Sequence, residues 1–445
     1  MPHKVKHDVC LRKYPYPYRC ALAICSDIDN TRRADFLEIH KFLNTDMETN
    51  MGRGIGLEIG DSFWMFNANH EIDKNDFSYF RGTSADYSPD RDIMVAFIRA
   101  GFIDCLHTYG NFSNVGGFRR ELAIKAIDEL KKNKLEIVVW IDHGDMHNFQ
   151  NIATPTSLGD SPYRISADGT KIPNSEYHAD LTVPYGVKFI WTGLTDTWGQ
   201  DRFVNPLEVI FKKDFIRKVV SDLASIVAGS KRIKEFLHEM PFFDNRMIRP
   251  YKLRDGHLVY GFRRYGRFGK DDAEALHAVL TEKNLGSLIR KQATSIIYVH
   301  LGKKRFSQER IFSDRVTDSL RRLEKAYKSG DVYVTTTSRL LKYCLMHDGL
   351  DWDVEKSREG VSIILKPGQH QSLAGTFLNK NYLQGMTFYT KNPERTRIVL
   401  VNEELKVNVN DKDHTGQYSI SIPSGQLTTK DILKMYQGRS HEQRL

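Results

Sequence analysis

The sequence contains little that would anchor, export or cross-link the protein. Its 445 residues include no run of 18 or more apolar residues, so no integral membrane segment is predicted. The opening MPHKVKHDVCLRKYPYPYRC lacks the apolar stretch and the small-residue cleavage site of a signal peptide. The five cysteines are odd in number and form no Cys-x-x-Cys pair, which argues against a disulfide framework. Together these absences predict a protein of the reducing cytoplasm.

Signals for nucleic-acid binding are also missing. The net charge of +9 suits an acidic partner, but the 65 Lys and Arg residues are mixed with 56 Asp and Glu along the chain. The sequence has no RNA-recognition signature, no zinc-finger spacing and no basic arm. We therefore expect no nucleic-acid partner, and we interpret the charge as a solubility feature with some bias toward anionic substrates. Nothing in the sequence indicates an oligomeric state.

Short apolar strands alternate with amphipathic helices over most of the chain. Strands are predicted at residues 20–26, 102–106, 135–141, 187–191 and 295–299. Residues 119–132 carry apolar side chains at helical spacing. This alternation is typical of an α/β fold with a parallel sheet that helices cover on both sides. Functional side chains of such folds gather at the carboxyl ends of strands, where this sequence has Asp27, Asp29, His107, His143 and His300.

The pattern changes after about residue 348, where short strands separated by turn residues replace this alternation. It predicts a small all-β, sandwich-like module that ends in a helix. We therefore expect two domains, residues 1–345 and residues 346–445. Residues 145–186 are rich in Asn, Ser, Gly, Pro and Asp, and they are predicted to form a long loop near the site, a possible substrate lid.

Two carboxylates follow the first predicted core strand. Asp27 and Asp29 are two residues apart, and alternate residues of an extended segment point the same way, so both can face one site. Two carboxylates with histidines from other strands suit a divalent metal and a general base. The alternative is a helix cap or an Asx turn at the end of the strand, where Asp and Asn are common.

Histidines at two further strand ends extend the set. His107 begins the stretch His-Thr-Tyr-Gly-Asn, and it can present a ring nitrogen to a metal while Asn111 returns one turn later. His300 ends an apolar strand and suits a general acid, because imidazole donates a proton near neutral pH. A structural, hydrogen-bonded histidine is the alternative at each position.

In this order the motifs resemble those of the polysaccharide deacetylases of carbohydrate esterase family 4. The matching stretches are Ser-Asp-Ile-Asp at 26–29, His-Thr-Tyr-Gly-Asn at 107–111, the helix at 118–132, Ile-Asp-His-Gly at 141–144 and Tyr-Val-His-Leu-Gly at 298–302. The likeness covers roughly residues 18–345. It implies a distorted (β/α) barrel, often of seven strands, ahead of the β-rich C-terminal module.

The resemblance assigns a role to each matching residue. Asp27 would be the general base, and His300 would be the general acid that protonates the leaving amine. Asp29, His107 and Asn111 would hold a divalent metal, most commonly zinc.

Two departures from the family pattern are present. Asn111 stands where the family usually has a second histidine, and an amide oxygen is a weaker zinc ligand than imidazole. The strand that usually brings an arginine near the base ends here in Asp142 and His143. His143 is therefore predicted to act at the site, either as a metal ligand or as the partner of Asp27; the alternative is that both residues only close a turn.

Three residues are predicted to bind substrate. Trp198 is a better candidate for stacking on a sugar than Trp191, because tryptophan on a buried strand is more often part of the core. Arg263 and Arg264 are predicted to grip a carboxylate or phosphate, with a solvated hairpin face as the alternative.

The sequence thus predicts a zinc-dependent deacylase that hydrolyses the amide of an N-acylated amino sugar. A cytoplasmic enzyme of this kind would act on a bacterial surface polysaccharide such as O-antigen, or on its precursor, and the net charge suits an acidic sugar. A related reaction on the same fold, such as amide formation on a uronic acid, is one alternative. A carbohydrate-binding protein without catalysis is another.

Overall fold

Seven parallel strands close into a barrel. They are β1 (Cys20–Asp27), β2 (Gly60–Asn67), β3 (Ile103–His107), β4 (Val139–Ile141), β5 (Phe189–Thr195), β6 (Leu258–Tyr265) and β7 (Thr294–Val299). Each strand pairs with the next along the chain, and β7 and β2 both pair with β1, which closes the ring. The predicted α/β class and the (β/α) barrel architecture are confirmed at this level.

The computed structural model describes residues 5–6, 8–68, 77–112, 117–143, 149–153, 158–208, 216, 219–220, 223, 227, 244–266, 271–366 and 380–437. Within these residues the helices are α1 (Arg33–Asn44), α2 (Arg91–Arg99), α3 (Arg120–Lys132), α4 (Ala179–Tyr185), α5 (Leu276–Val279), α6 (Glu282–Arg290), α7 (Asp314–Lys328), α8 (Thr337–Gly349) and α9 (Lys430–Gln437). No helix of the described part combines the length and apolar character needed to cross a bilayer.

Helix α7 illustrates why these segments are helical and how they cover the barrel. Ser313 caps its amino end by accepting a hydrogen bond from the backbone N–H of Val316. Val316, Leu320 and Leu323 recur at helical spacing and are fully buried. Burial of such side chains contributes about 1.5–3 kcal/mol each, and it holds the helix against the strands.

The pairing register places the ends of several strands at one level. Asp27, the last residue of β1, lies opposite Ser62 of β2, and His107, the last residue of β3, lies opposite Ile141 of β4. The strand Val332–Val334 pairs with β1 at Cys20–Leu22, whereas β2 pairs with β1 only at Cys25–Asp27. The carboxyl end of the barrel is therefore the level at which the polar side chains of different strands meet.

Short strands and turns complete the barrel region. Ile248–Lys252 is antiparallel to β6, and Ser78–Phe80 and Gly110–Asn111 pair with β2. Two small hairpins consist of Glu48–Thr49 with Gly52–Arg53 and of Tyr163–Ile165 with Lys171–Pro173. The second hairpin and α4 lie inside residues 145–186, so the described part of that segment is not the continuous loop that we predicted. Its action as a lid stays a prediction.

Two smaller sheets follow the barrel. One contains Asp351–Lys356, Val361–Lys366, Thr396–Leu400 and Glu403–Leu405; the other contains Val5–Lys6, Val9–Leu11, Thr387–Tyr389, Ser419–Ser421 and Asn408–Asn410. Their apolar side chains share one core that includes Trp352 and Phe388. The N-terminal strands thus join sheets of the C-terminal part, and α9 contacts α1 and α2. Elements from before and after residue 346 therefore pack together. The domain boundary and the separate sandwich stay predictions.

Candidate metal centre

Three side chains from the carboxyl end of the barrel bring one possible ligand atom each within 4.8 Å of one another: Asp29, His107 and His143. They follow β1, end β3 and follow β4, respectively. Asp29 Oδ1 lies 3.0 Å from His107 Nδ1, and Asp29 Oδ2 lies 3.7 Å from His143 Nε2. One carboxylate and two imidazoles form the donor set of hydrolytic zinc sites that keep a coordination position for water or substrate. The residues present therefore fit a zinc ion.

The turn after β4 explains why His143 reaches this group. The Asp142 carboxylate accepts hydrogen bonds from Trp140 Nε1 at 2.8 Å and from the backbone N–H groups of Ile152 and Ala153 at 2.9 Å. The Asn151 side chain bonds to both backbone polar groups of His143. Asp142 thus closes the turn, as the alternative interpretation held for both residues, whereas the His143 ring lies beside Asp29.

Asn111, the other predicted ligand, lies on the short strand Gly110–Asn111, where it pairs with Asn67 of β2. It is half-buried. Binding of a metal by the Asn111 amide stays a prediction. Asp29, His107 and His143 supply three donors without it.

Trp64 of β2 forms a wall behind the two histidines. Its ring stacks on His107, with centroids 5.5 Å apart and an interplanar angle of 29°, and its centroid lies 5.7 Å from that of His143. Only 2% of Trp64 is exposed. Packing of this kind restricts both imidazole rings, and nothing in the apolar sequence of β2 marks this tryptophan as part of a site.

Asp27 is held apart from the three possible ligands by its own partners. Its Oδ1 accepts hydrogen bonds from Ser62 Oγ at 2.6 Å and from Arg264 Nη1 at 2.8 Å. Its Oδ2 lies 3.9 Å from His107 Nε2. Burial opposes the charge, but Arg264, His107 and His300 together hold the pKa of Asp27 below its usual value. Asp27 is thus an ionised carboxylate with one oxygen tethered and the other directed toward the ligand group.

Arg264 is placed differently from the prediction. It lies on a hairpin, but it is 2% exposed and its guanidinium pairs with Asp27, so the solvated face considered as an alternative is wrong. The position next to Asp27, for which His143 was one candidate, is therefore held by Arg264. Arg263 points the opposite way along the strand, and its Nη2 lies 3.4 Å from the backbone oxygen of Asp244. Substrate binding by either arginine stays a prediction.

His300 also lies beside Asp29. Its Nε2 is 3.5 Å from Asp29 Oδ2, and its Nδ1 is 3.0 Å from Asp271 Oδ2. Burial alone lowers the pKa of His300, but hydrogen bonds to Asp271 and Asp29 outweigh it and raise the pKa to about 10. The contact with His300 in turn holds the pKa of Asp271 well below its usual value. His300 is therefore held in its charged form.

Trp198 does not contact these groups. Its indole N–H donates to the backbone oxygen of Asn284 at 2.9 Å, and its ring packs edge-on against Tyr265 at 5.0 Å. Trp191, the tryptophan assigned to the core by the sequence interpretation, packs against the core and also lies beside Arg264, with 5.2 Å between the guanidinium carbon and the ring centroid. Trp191, rather than Trp198, thus contacts the partner of Asp27, and sugar stacking by Trp198 stays a prediction.

Sequence reasoning missed four contributors: Ser62, Trp64, Asp271 and the pairing of Arg264 with Asp27. Ser62 directly follows Asp61 in an otherwise apolar strand, and two adjacent polar residues there are only a weak indication of a functional site. Asp271 lies outside the strands, and only the fold shows that it reaches His300.

No protein-family model, curated protein or solved structure matches this chain. The class that the fold and the site define is an α/β barrel protein with a possible metal centre at the carboxyl end of the barrel. Membership of the polysaccharide deacetylase family stays a prediction that rests on the motifs.

Proposed function

We propose that the protein is a metal-dependent deacylase that hydrolyses the amide bond of an N-acylated amino sugar. One observation carries the proposal. Next to the group Asp29, His107 and His143, Asp27 lies 3.9 Å from His107 and His300 lies 3.5 Å from Asp29. Each is held by its own partner, Arg264 or Asp271. A base and an acid next to a possible ion site are what amide hydrolysis requires.

Asp29, His107 and His143 would hold the ion, and zinc is the metal proposed for this donor set. When bound, zinc would polarise the amide carbonyl and lower the pKa of a water molecule to about 7. Trp64 and the Asp142 turn would keep the two imidazoles in place.

Asp27 is the proposed general base. Its Oδ1 is occupied by Ser62 and Arg264, so Oδ2 takes the proton from the attacking water. Because Arg264 keeps Asp27 ionised at neutral pH, the carboxylate is ready to accept that proton.

His300 is the proposed general acid. An amine nitrogen cannot leave as an anion, so it needs a proton as the carbon–nitrogen bond breaks. His300 Nδ1 faces Asp271, which leaves Nε2, on the side of Asp29, to deliver the proton.

The proposed substrate is an acylated amino sugar of a bacterial surface polysaccharide or of its precursor. The sugar class comes from the motif resemblance, and the net charge of +9 favours acidic members of that class.

Mass spectrometry of N-acylated amino sugars incubated with the zinc-loaded protein tests the proposal. We expect loss of the acyl mass from at least one sugar of the panel, and no loss with the Asp27→Asn variant. An unchanged mass for every sugar contradicts a deacylase and favours a binding protein. A mass change on a uronic acid that corresponds to amide formation supports the alternative reaction.

A further inference from the structure

Three side chains from neighbouring strands form a stack inside the barrel. Arg264 of β6 lies between Trp191 of β5 and Tyr298 of β7, with its guanidinium carbon 5.2 Å and 4.4 Å from the two ring centroids. Arg264 also reaches Cys25 and Asp27 of β1, two strands away from β6. A side chain spans that distance only across the interior of the barrel, so the stack lies on the inner surface.

The two rings are more accessible than the groups beside them. Arg264 and Asp27 are 2% and 1% exposed, whereas Trp191 and Tyr298 are only half-buried. Tyr298 lies two residues before His300, and the centroids of their rings are 5.3 Å apart. The stack therefore carries partly accessible aromatic surface at the carboxyl end of the barrel, beside the metal centre.

The stack contacts both halves of the proposed proton-transfer machinery. Arg264 holds Asp27, and the Tyr298 hydroxyl donates to Asp271 Oδ2 at 3.4 Å, next to the bond between Asp271 and His300. A ring that packs on Trp191 or Tyr298 would thus lie close to both the base and the acid. An aromatic ring with a polar neighbour suits a sugar, which has an apolar C–H face and hydroxyl groups at its edge.

We propose that Trp191, together with Tyr298, is the surface on which the pyranose ring of the substrate stacks. The identity of the sugar rests on the proposed function, whereas the stacking surface rests on the contacts of Arg264. Arg264 has two sets of contacts in this arrangement: it donates a hydrogen bond to Asp27 at 2.8 Å, and its cation–π contacts fix both rings.

Calorimetric titration with methyl glycosides of N-acetylglucosamine, N-acetylgalactosamine and glucuronic acid tests the proposal. The zinc-loaded Asp27→Asn protein serves as the parent because it binds without turnover. We expect at least one glycoside to bind, and Trp191→Leu to weaken that binding about tenfold or more, the size typical of a lost stacking contact. Trp191→Phe, which keeps an aromatic ring, should stay within about threefold of the parent.

Trp198→Leu is the matched control, because Trp198 is also half-buried but packs on Tyr265 and Asn284. Equal affinity of the Trp191→Leu variant and the parent overturns the proposal, as does an equal loss in Trp198→Leu or the failure of every glycoside to bind. If thermal melting shows that Trp191→Leu is unfolded, Tyr298→Leu takes its place with the same expected loss of affinity, and Trp191→Phe stays the variant that keeps binding.

Failure of this inference is distinguishable from failure of the proposed function. Binding that depends on Trp191, with no acyl loss from any sugar, contradicts the deacylase and leaves the stacking surface in place. Acyl loss from a sugar, together with equal glycoside affinity of the Trp191→Leu variant and the parent, contradicts only the stacking surface.

Discussion

Two buried histidine environments in this protein have opposite effects on charge. His178 bonds to Thr182 Oγ1 at 2.8 Å and to the backbone oxygen of Gln150 at 2.6 Å, and burial lowers its pKa to about 4. His300 is nearly as inaccessible, yet Asp271 and Asp29 overcome the effect of burial and raise its pKa to about 10. The first environment keeps an imidazole neutral, and the second keeps it charged.

The difference shows that depth in the fold does not make a histidine functional. Hydroxyl and carbonyl partners satisfy the ring nitrogens of His178 but do not outweigh burial, so its imidazole stays neutral. The carboxylates of Asp271 and Asp29 instead keep the imidazole of His300 charged. A third carboxylate nearby, that of Asp27, is buried, and Arg264 helps to keep it ionised.

Removal of the Arg264 cation should have the largest effect on this group of charged side chains. Arg264→Met leaves Asp27 buried without its main partner, and we expect a loss of about 3–5 kcal/mol in the free energy of unfolding. Urea denaturation followed by circular dichroism measures the loss. The double variant Arg264→Met/Asp27→Asn should recover most of it, because no charge is then left unpaired; equal losses in the single and double variants would contradict the pairing.

The stabilisation that neutral His178 provides should be lost as the pH falls. The pKa of His178 is lower in the folded protein than the value of about 6.5 in the unfolded chain, so its stabilising effect is complete above pH 6.5 and is lost toward pH 4. The difference in unfolding free energy between wild type and His178→Gln should shrink by about 3 kcal/mol between pH 7.5 and pH 4. A constant difference across this range would show that His178 is not held neutral.

In the proposed function, Asp271 supports the charged imidazole of His300. Asp271→Asn keeps a hydrogen-bonding side chain but removes the charge that supports protonated His300, so kcat/KM should fall about 10- to 100-fold with zinc content unchanged. Lys303→Gln is the control, because Lys303 Nζ lies 3.1 Å from the same carboxylate without touching the proposed donor. Loss of zinc in parallel with activity would assign Asp271 to the metal instead.

Trp64 should have the smallest effect. Trp64→Leu removes the ring that packs on His107 and His143, and we expect zinc affinity to weaken about tenfold, whereas Trp64→Phe should retain most of it. Competition with a chelating dye measures the affinity. Trp352→Phe, in the core of the C-terminal sheets, is the control. Identical affinities for Trp64→Leu and wild type would remove Trp64 from the site.

Part of this site could be predicted from the sequence. Asp27, Asp29, His107, His143 and His300 follow or end apolar strands, and parallel strands bring their carboxyl ends to one edge. The seven-strand barrel was also predicted at the level of its architecture, through the motif resemblance.

The partners of these residues could not be predicted. Arg264 reaches Asp27 across the barrel, and the register that allows this depends on the closure of all seven strands. Asp271 acts from outside the strands. Trp191 ends an apolar run that predicts a core strand, and only the fold shows that its ring lies beside Arg264.

Metal content and turnover in two single variants test the central claim most directly. Inductively coupled plasma mass spectrometry should find about one zinc per chain in wild type and in Asp27→Asn, and none in Asp29→Ala. Turnover should be lost in both variants, because one lacks the base and the other lacks the metal. Loss of zinc from both variants, or a folded wild-type protein that binds no metal, would contradict the division of roles between Asp27 and Asp29.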